Sequence, residues 1–161
     1  MVELNTISKL TEALKFVSAG FLLSDRVFYN EIEFKIAQKA LVEIYSAKEL
    51  ELLVKTRKAR VFAYMKKGQI KGVCALEVIE GKILFISTLP GDVLVARALI
   101  EKMVEARSEE PDNRLHVLAF VGQEKQLQAL GFVRLYDSTL YYHGLKLVPM
   151  KYNYAQFNID E

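Results

Sequence analysis

The sequence predicts an α/β (α+β) domain, a mixed central β-sheet flanked by helices on both faces. Three observations predict it. Residues 61–99 read as three consecutive strands that run through a short loop into an amphipathic helix. Leu115–Phe120 then forms an apolar run broken only by His116, which suits an interior strand covered on both faces after a helix crossover. The first sixty residues carry apolar side chains at helical spacing, Leu10, Leu14, Val17 and Phe21 in one set and Ile36, Ala40, Leu41 and Ile44 in another.

Taken in order, Met1–Asn5 reads as an initial strand, and residues 27–35 either continue the second helix or lead irregularly into it. Ser46 has the character of an N-cap for a third helix, because Glu49 stands three residues on and Leu50, Leu53 and Val54 follow. Two strands, around Val61–Tyr64 and Lys71–Val78, flank the turn Lys66-Lys67-Gly68-Gln69. A second turn, Glu80-Gly81-Lys82, leads into the strand Lys82–Thr88. Glycine at each turn supplies the positive φ that short hairpins require. The loop Pro90-Gly91-Asp92 opens a helix with Val95, Ala98, Leu99, Met103 and Ala106 on one face. A polar loop, 108–114, precedes Leu115–Phe120, and a short helix over Gln123–Leu130 stops at Gly131. Phe132–Tyr136, Thr139–His143 and Lys146–Tyr152 complete the chain as strands, separated by Asp137-Ser138 and Gly144. A strand–helix–strand crossover flanked by meanders gives three layers, with helices on both faces of the sheet.

The 161 residues, 52% hydrophobic and 26% charged, fit a single domain over 1–152 with a C-terminal tail at 153–161. Within it, 1–60 is the mainly helical part and 61–152 the sheet with its helices. No apolar run is long enough to span a bilayer, and the N-terminus has neither a basic leader nor an apolar h-region, so no membrane partner is expected. One cysteine, Cys74, excludes an internal disulfide framework and a cysteine-based zinc site, and makes a reducing cytoplasm the simplest location. A net charge of +2 gives no reason to expect nucleic-acid binding. The basic run Lys55, Arg57, Lys58, Arg60, Lys66, Lys67 and Lys71 reads first as a helix C-terminus followed by a solvated turn, with a phosphate or acidic-partner site as the sharper alternative.

Four landmarks in this order resemble the GCN5-related N-acetyltransferase (GNAT) superfamily over residues 60–152. They are the hairpin VFAYMKKGQIKGVCALEV with Gly68, Ile70 and Gly72; the strand–loop–helix ILFISTLPGDVLVARALIEKMVEA; the late helix and Gly-Phe step QLQALGFVRL; and the closing strand LKLVPMKY. The resemblance implies an acyl-CoA N-acyltransferase-like fold in which the fourth and fifth strands splay apart and acetyl-CoA or another acyl-CoA lies in the gap. The pantetheine arm would pair with Phe85, Ile86, Ser87 and Thr88, and the pyrophosphate would lie on Gly91, Asp92, Val93, Leu94, Val95 and Ala96. Of the family's Gln/Arg-x-x-Gly-x-Gly/Ala positions, which fall on Gly91, Leu94 and Ala96, only Ala96 matches. The implied activity is transfer of an acetyl or acyl group from acyl-CoA to an amine of a small molecule or protein. The alternative is a catalytically inactive protein of the same fold, an acyl-CoA sensor or interaction module.

Such a transfer needs an aligned thioester, a deprotonated amine and a proton for the departing thiolate. Many relatives place a tyrosine four residues before the late Gly-Phe, where this chain has Leu127. Tyr141, Tyr142 and His143 on the penultimate strand are the substitutes within reach, though sheet packing explains aromatic residues there as well. Glu77, the one acid inside an apolar strand, is the candidate general base; alternation toward solvent explains it equally well. Ser87 and Thr88 read as hydroxyls near the splay. His116 and His143, far apart and without cysteine or a carboxylate motif, make no metal site. Cys74 reads as a small core residue. The apolar helices between Leu10 and Ile44 are candidates to close an acceptor pocket or to form a homodimer face.

Overall fold

A computed structural model of the chain describes residues 1–18, 46–89, 91–120, 124–135, 140–142 and 145–154. The expected helix around 36–44, its lead at 27–35, the Asp137-Ser138 turn, His143, Gly144 and most of the tail lie outside the described residues. Eight strands and four helices are described: β1 (Val2–Leu4), α1 (Ile7–Ser18), α2 (Ala47–Lys55), β2 (Ala59–Lys66), β3 (Gln69–Glu77), β4 (Lys82–Thr88), α3 (Val93–Arg107), β5 (His116–Phe120), α4 (Glu124–Ala129), β6 (Phe132–Arg134), β7 (Leu140–Tyr142) and β8 (Leu145–Tyr152).

The strands form one mixed sheet in the order β1-β2-β3-β4-β5-β8-β6, with β7 added to β8. Each local signal has its structural counterpart. Ser46 caps α2 by accepting a hydrogen bond from the Glu49 N–H at 3.2 Å. The β2–β3 hairpin closes on Lys67 and Gly68, both at positive φ (53° and 76°), the conformation whose twist matches the flanking strands. Gly131 takes φ 99° just past α4, where a helix end requires it.

Two apolar clusters occupy opposite faces of the sheet. Leu10, Ala13, Val17 and Leu50 from α1 and α2 pack on Val61, Ala63, Val73, Ala75 and Phe85. On the other face, Val95, Ala96, Leu99, Ile100 and Met103 of α3 pack on Phe62, Cys74, Leu76, Ile83 and Ile86, joined by Leu127 from α4. The alternation of strand side chains produces these two sets, Val73 and Ala75 facing one way and Cys74 and Leu76 the other. Three layers result, as the sequence predicts. One expectation is corrected. β5 is interior to the sheet, but Leu118 is exposed, so the strand is not covered on both faces along its length.

Candidate functional site

The site is built by a failure of pairing. β4 and β5 run parallel, yet their ladder holds a single pair, Lys82 with His116. On its far side β5 continues through five pairs with β8, and β4 pairs with β3 along its whole length. The two central strands therefore fork, closed at Lys82–His116 and open toward Thr88 and Phe120. A β-bulge accompanies the fork. Ala75 opposes Phe85 and Leu76 opposes Ile83, leaving Leu84 as the extra residue. Leu84 and Phe85 consequently join the same cluster, on the α1/α2 face, although adjacent strand residues ordinarily alternate.

The closed end of the fork is pinned by Gly81 and Arg107. Gly81 sits at φ 73°, and a Cβ there would lie 1.9 Å from the Arg114 carbonyl oxygen, so only glycine fits. Its own carbonyl accepts the His116 N–H at 2.9 Å. Arg107, at the last position of α3, has no exposed surface. Its Nε donates to the Arg114 carbonyl at 2.8 Å, its Nη1 to the carbonyls of Val78 and Ile79, and its Nη2 to the carbonyl (2.9 Å) and Oδ1 (2.6 Å) of Asp112. The β3–β4 turn, the end of α3 and the loop into β5 are thereby tied together. The Arg114 N–H and the neighbouring guanidinium groups hold the Asp112 carboxyl below the usual carboxylate range. Beside this clamp, burial first and then the charges of Arg114 and Lys82 push the His116 imidazole below its ordinary value. Its Nδ1 is buried without a hydrogen-bond partner, and protonation there would bury an unsatisfied N–H.

At the open end, α3 approaches the sheet closely because Gly72 has no side chain. A Cβ there would stand 2.5 Å from Val95 Cγ1 and 3.0 Å from Leu99 Cδ1. Asp92 is the N-cap, its Oδ1 accepting from the Val95 N–H at 3.2 Å. Val93 and Leu94 in the first turn are exposed, Leu94 to 80%.

The site residues expected from the sequence fall at three places. Phe85, Ile86, Ser87 and Thr88 line β4 beyond the closed end, and all four residues are buried. The Thr88 hydroxyl donates to the Leu89 carbonyl at 3.0 Å. Gly91, Asp92, Val93, Leu94, Val95 and Ala96 form the loop and first turn of α3 at the open end, with Val95 and Ala96 buried in the core. Glu77 is half-buried and opposes Lys82 at the closed end, about 20 Å along β4 from Thr88. Strand alternation sets it on the α1/α2 face with Val73 and Ala75. The structure therefore does not bring Glu77 to the loop residues. Tyr141 and Tyr142 oppose Lys146 and Leu145 on β8, beyond the Leu147–Phe120 pair, so their backbone lies past the C-terminal end of β5, on the open side. Leu127, at the position where the family resemblance places a tyrosine as acid, is buried in the α3-side core. Cys74 has no exposed surface and burial pushes its thiol far up, which leaves it a core residue and no nucleophile.

The Asp92 cap is legible in the sequence, as an aspartate directly before an apolar helical run. Arg107 carries no such signal, since a basic residue in the last turn reads as complementing the helix dipole.

No family model matches the chain, and no curated protein matches it in sequence. Solved structures do. The PaiA N-acetyltransferase from Thermoplasma acidophilum, in complex with coenzyme A, superposes with a TM-score of 0.65 at 12% identity, over 95% of this chain and 98% of that one. This chain has the GNAT fold. The same extent of GNAT architecture is shared with the GCN5-related N-acetyltransferase from Rhodopseudomonas palustris (TM-score 0.63, 17% identity, 95% and 98% covered). An acyl-CoA N-acyltransferase from Pseudomonas aeruginosa adds a third case (TM-score 0.58, 15% identity, 92% of each chain covered). No described helix is long and apolar enough to cross a membrane.

The geometry divides the question of an acyl-CoA ligand in two. The fork leaves β4 beyond Lys82 without a β5 partner, at the position where the family resemblance lays a pantetheine arm. The helix terminus beside it, capped by a carboxylate and flanked by exposed apolar side chains, does not suit a diphosphate.

Proposed function

We propose that this GNAT-fold protein is an N-acyltransferase that takes an acyl group from an acyl-CoA thioester and passes it to an amine. The observation that supports the reading is the fork. Two parallel central strands joined by one ladder pair leave a strip of β4 beyond Lys82 to which an extended, amide-bearing arm can be matched. The thioester supplies an electrophilic carbonyl; the amine nitrogen bonds to that carbon, the C–S bond breaks, the amine loses a proton and the thiolate gains one. This chain's contribution is chiefly to hold the two reactants in line, an effect worth orders of magnitude in rate. Tyr141 and Tyr142, on the open side, are the proposed sources of the thiolate's proton. Glu77, at the closed end on the α1/α2 face, would have to serve as base through water.

The second reading is a GNAT-fold sensor or interaction module without turnover. It is favoured by one observation, the burial of Leu127 at the position where the family resemblance places a tyrosine as acid. Isothermal titration with acetyl-CoA and longer acyl-CoAs, followed by turnover assays on a panel of amines, separates the readings. Saturable binding with amine acylation is the expected outcome. Binding without turnover would favour the sensor, and absence of binding for every CoA ester would overturn the acyltransferase reading and leave the interaction module.

A further inference from the structure

We infer that Asp92 closes the N-terminus of α3 to a diphosphate, so that the protein selects its acyl donor by the pantetheine thioester arm and gains nothing from the nucleotide end. The N-terminus of a helix takes phosphate because its first amides lack partners and its dipole is positive there. Both resources are already committed in this chain. The Val95 N–H donates to Asp92 Oδ1 at 3.2 Å, the Val93 N–H to the Gly91 carbonyl at 3.0 Å, and the N-cap Asp92 N–H to the Leu89 carbonyl at 3.1 Å. Three of the first four amides are therefore occupied from within, one of them by a carboxylate that also takes up the dipole.

A diphosphate seated at this turn would have to displace that carboxylate or lie against it, like charge on like charge at a few ångströms. The exposed side chains of the first turn, Val93 and Leu94, are apolar and offer no donor in compensation. The next basic residue along the helix is Arg97, an exposed side chain in the second turn. Gly91 does leave open space around the loop, since a Cβ there would meet nothing within 4 Å. The obstacle is therefore charge and amide occupancy rather than bulk.

The part of this inference that concerns the donor rests on the acyltransfer reading; the part that concerns Asp92 does not. Asp92→Asn and Asp92→Ser both keep an N-cap acceptor and remove the charge, so both are expected to fold. Inorganic pyrophosphate is titrated into the full-length protein while the amide resonances of residues 93–96 are followed by NMR. Wild-type amides are expected to stay unmoved, and the two variants to show saturable shifts, with affinity raised at least about tenfold. Saturable shifts in the wild-type protein, or silence in both variants, would overturn the role of Asp92. In parallel, S-acetylpantetheine and acetyl-CoA are expected to bind the wild-type protein within about threefold of each other, the variants favouring acetyl-CoA. A hundredfold wild-type preference for acetyl-CoA would overturn the inference. Binding of neither ester by any variant would overturn the acyl-donor reading, with the pyrophosphate titration still deciding on Asp92.

Discussion

At the C-terminal end of α3, Arg107 uses all five of its N–H donors, four backbone carbonyls and one carboxylate oxygen sharing them. A guanidinium suits the position because its planar fork reaches several acceptors at once, whereas an ammonium is a single point of charge. Asp112, its one charged partner, is exposed, so the clamp depends mainly on carbonyls that would be stranded if the side chain were removed. Arg107→Met is therefore expected to destabilise the protein by about 3 kcal/mol or more, and Arg107→Lys by at least half as much. Urea denaturation of the two variants measures this. A loss below about 1 kcal/mol for Arg107→Met would show that water replaces the guanidinium at little cost.

Among the elements, the hairpins, the capped helix α2 and the buried face of α3 were all legible in the sequence, because turn glycines, an N-cap serine and helical periodicity are local signals. The fork was not legible from periodicity: β4 and β5 both read as ordinary apolar strands, and only the order of landmarks implied a splay between them. The exposure of Leu118 is not legible, because an apolar run says nothing about which face is left uncovered. Gly72 stood out only through the resemblance, yet its physical role is the approach of α3 to β3. Gly72→Ala would set a Cβ 2.5 Å from Val95 Cγ1 and lift the start of α3 from the sheet, at a cost of about 1–3 kcal/mol. Trimming the obstructing side chain should restore part of that loss, so Gly72→Ala combined with Val95→Ala is expected to be less destabilised than the sum of the single variants. Additive losses would mean that α3 does not bear on Gly72.

On the scale of the whole molecule, the sheet is two blocks, β1-β2-β3-β4 and β5-β8-β6 with β7, joined along the strand direction by one ladder pair and clamped there by Gly81 and Arg107. The helix α3 packs on the first block, and a single apolar cluster runs from it through Leu76 and Ile83 to Val117 and Val148 in the second. An extended ligand that pairs within the fork would supply the strand-to-strand continuity that the protein omits beyond Lys82. Such a ligand should protect amides on both flanking strands at once, where a ligand bound elsewhere would protect its own surroundings only. Hydrogen exchange with acetyl-CoA at a hundred times its dissociation constant is expected to slow exchange in β4 past Lys82 and in β5. The melting temperature should rise by about 5–10 °C, corresponding to about 2.7 kcal/mol of binding linkage. Protection confined to β1, β2 and the helices α1 and α2 would move the binding site to the other face of the sheet. The fork would then be an architectural feature without a ligand.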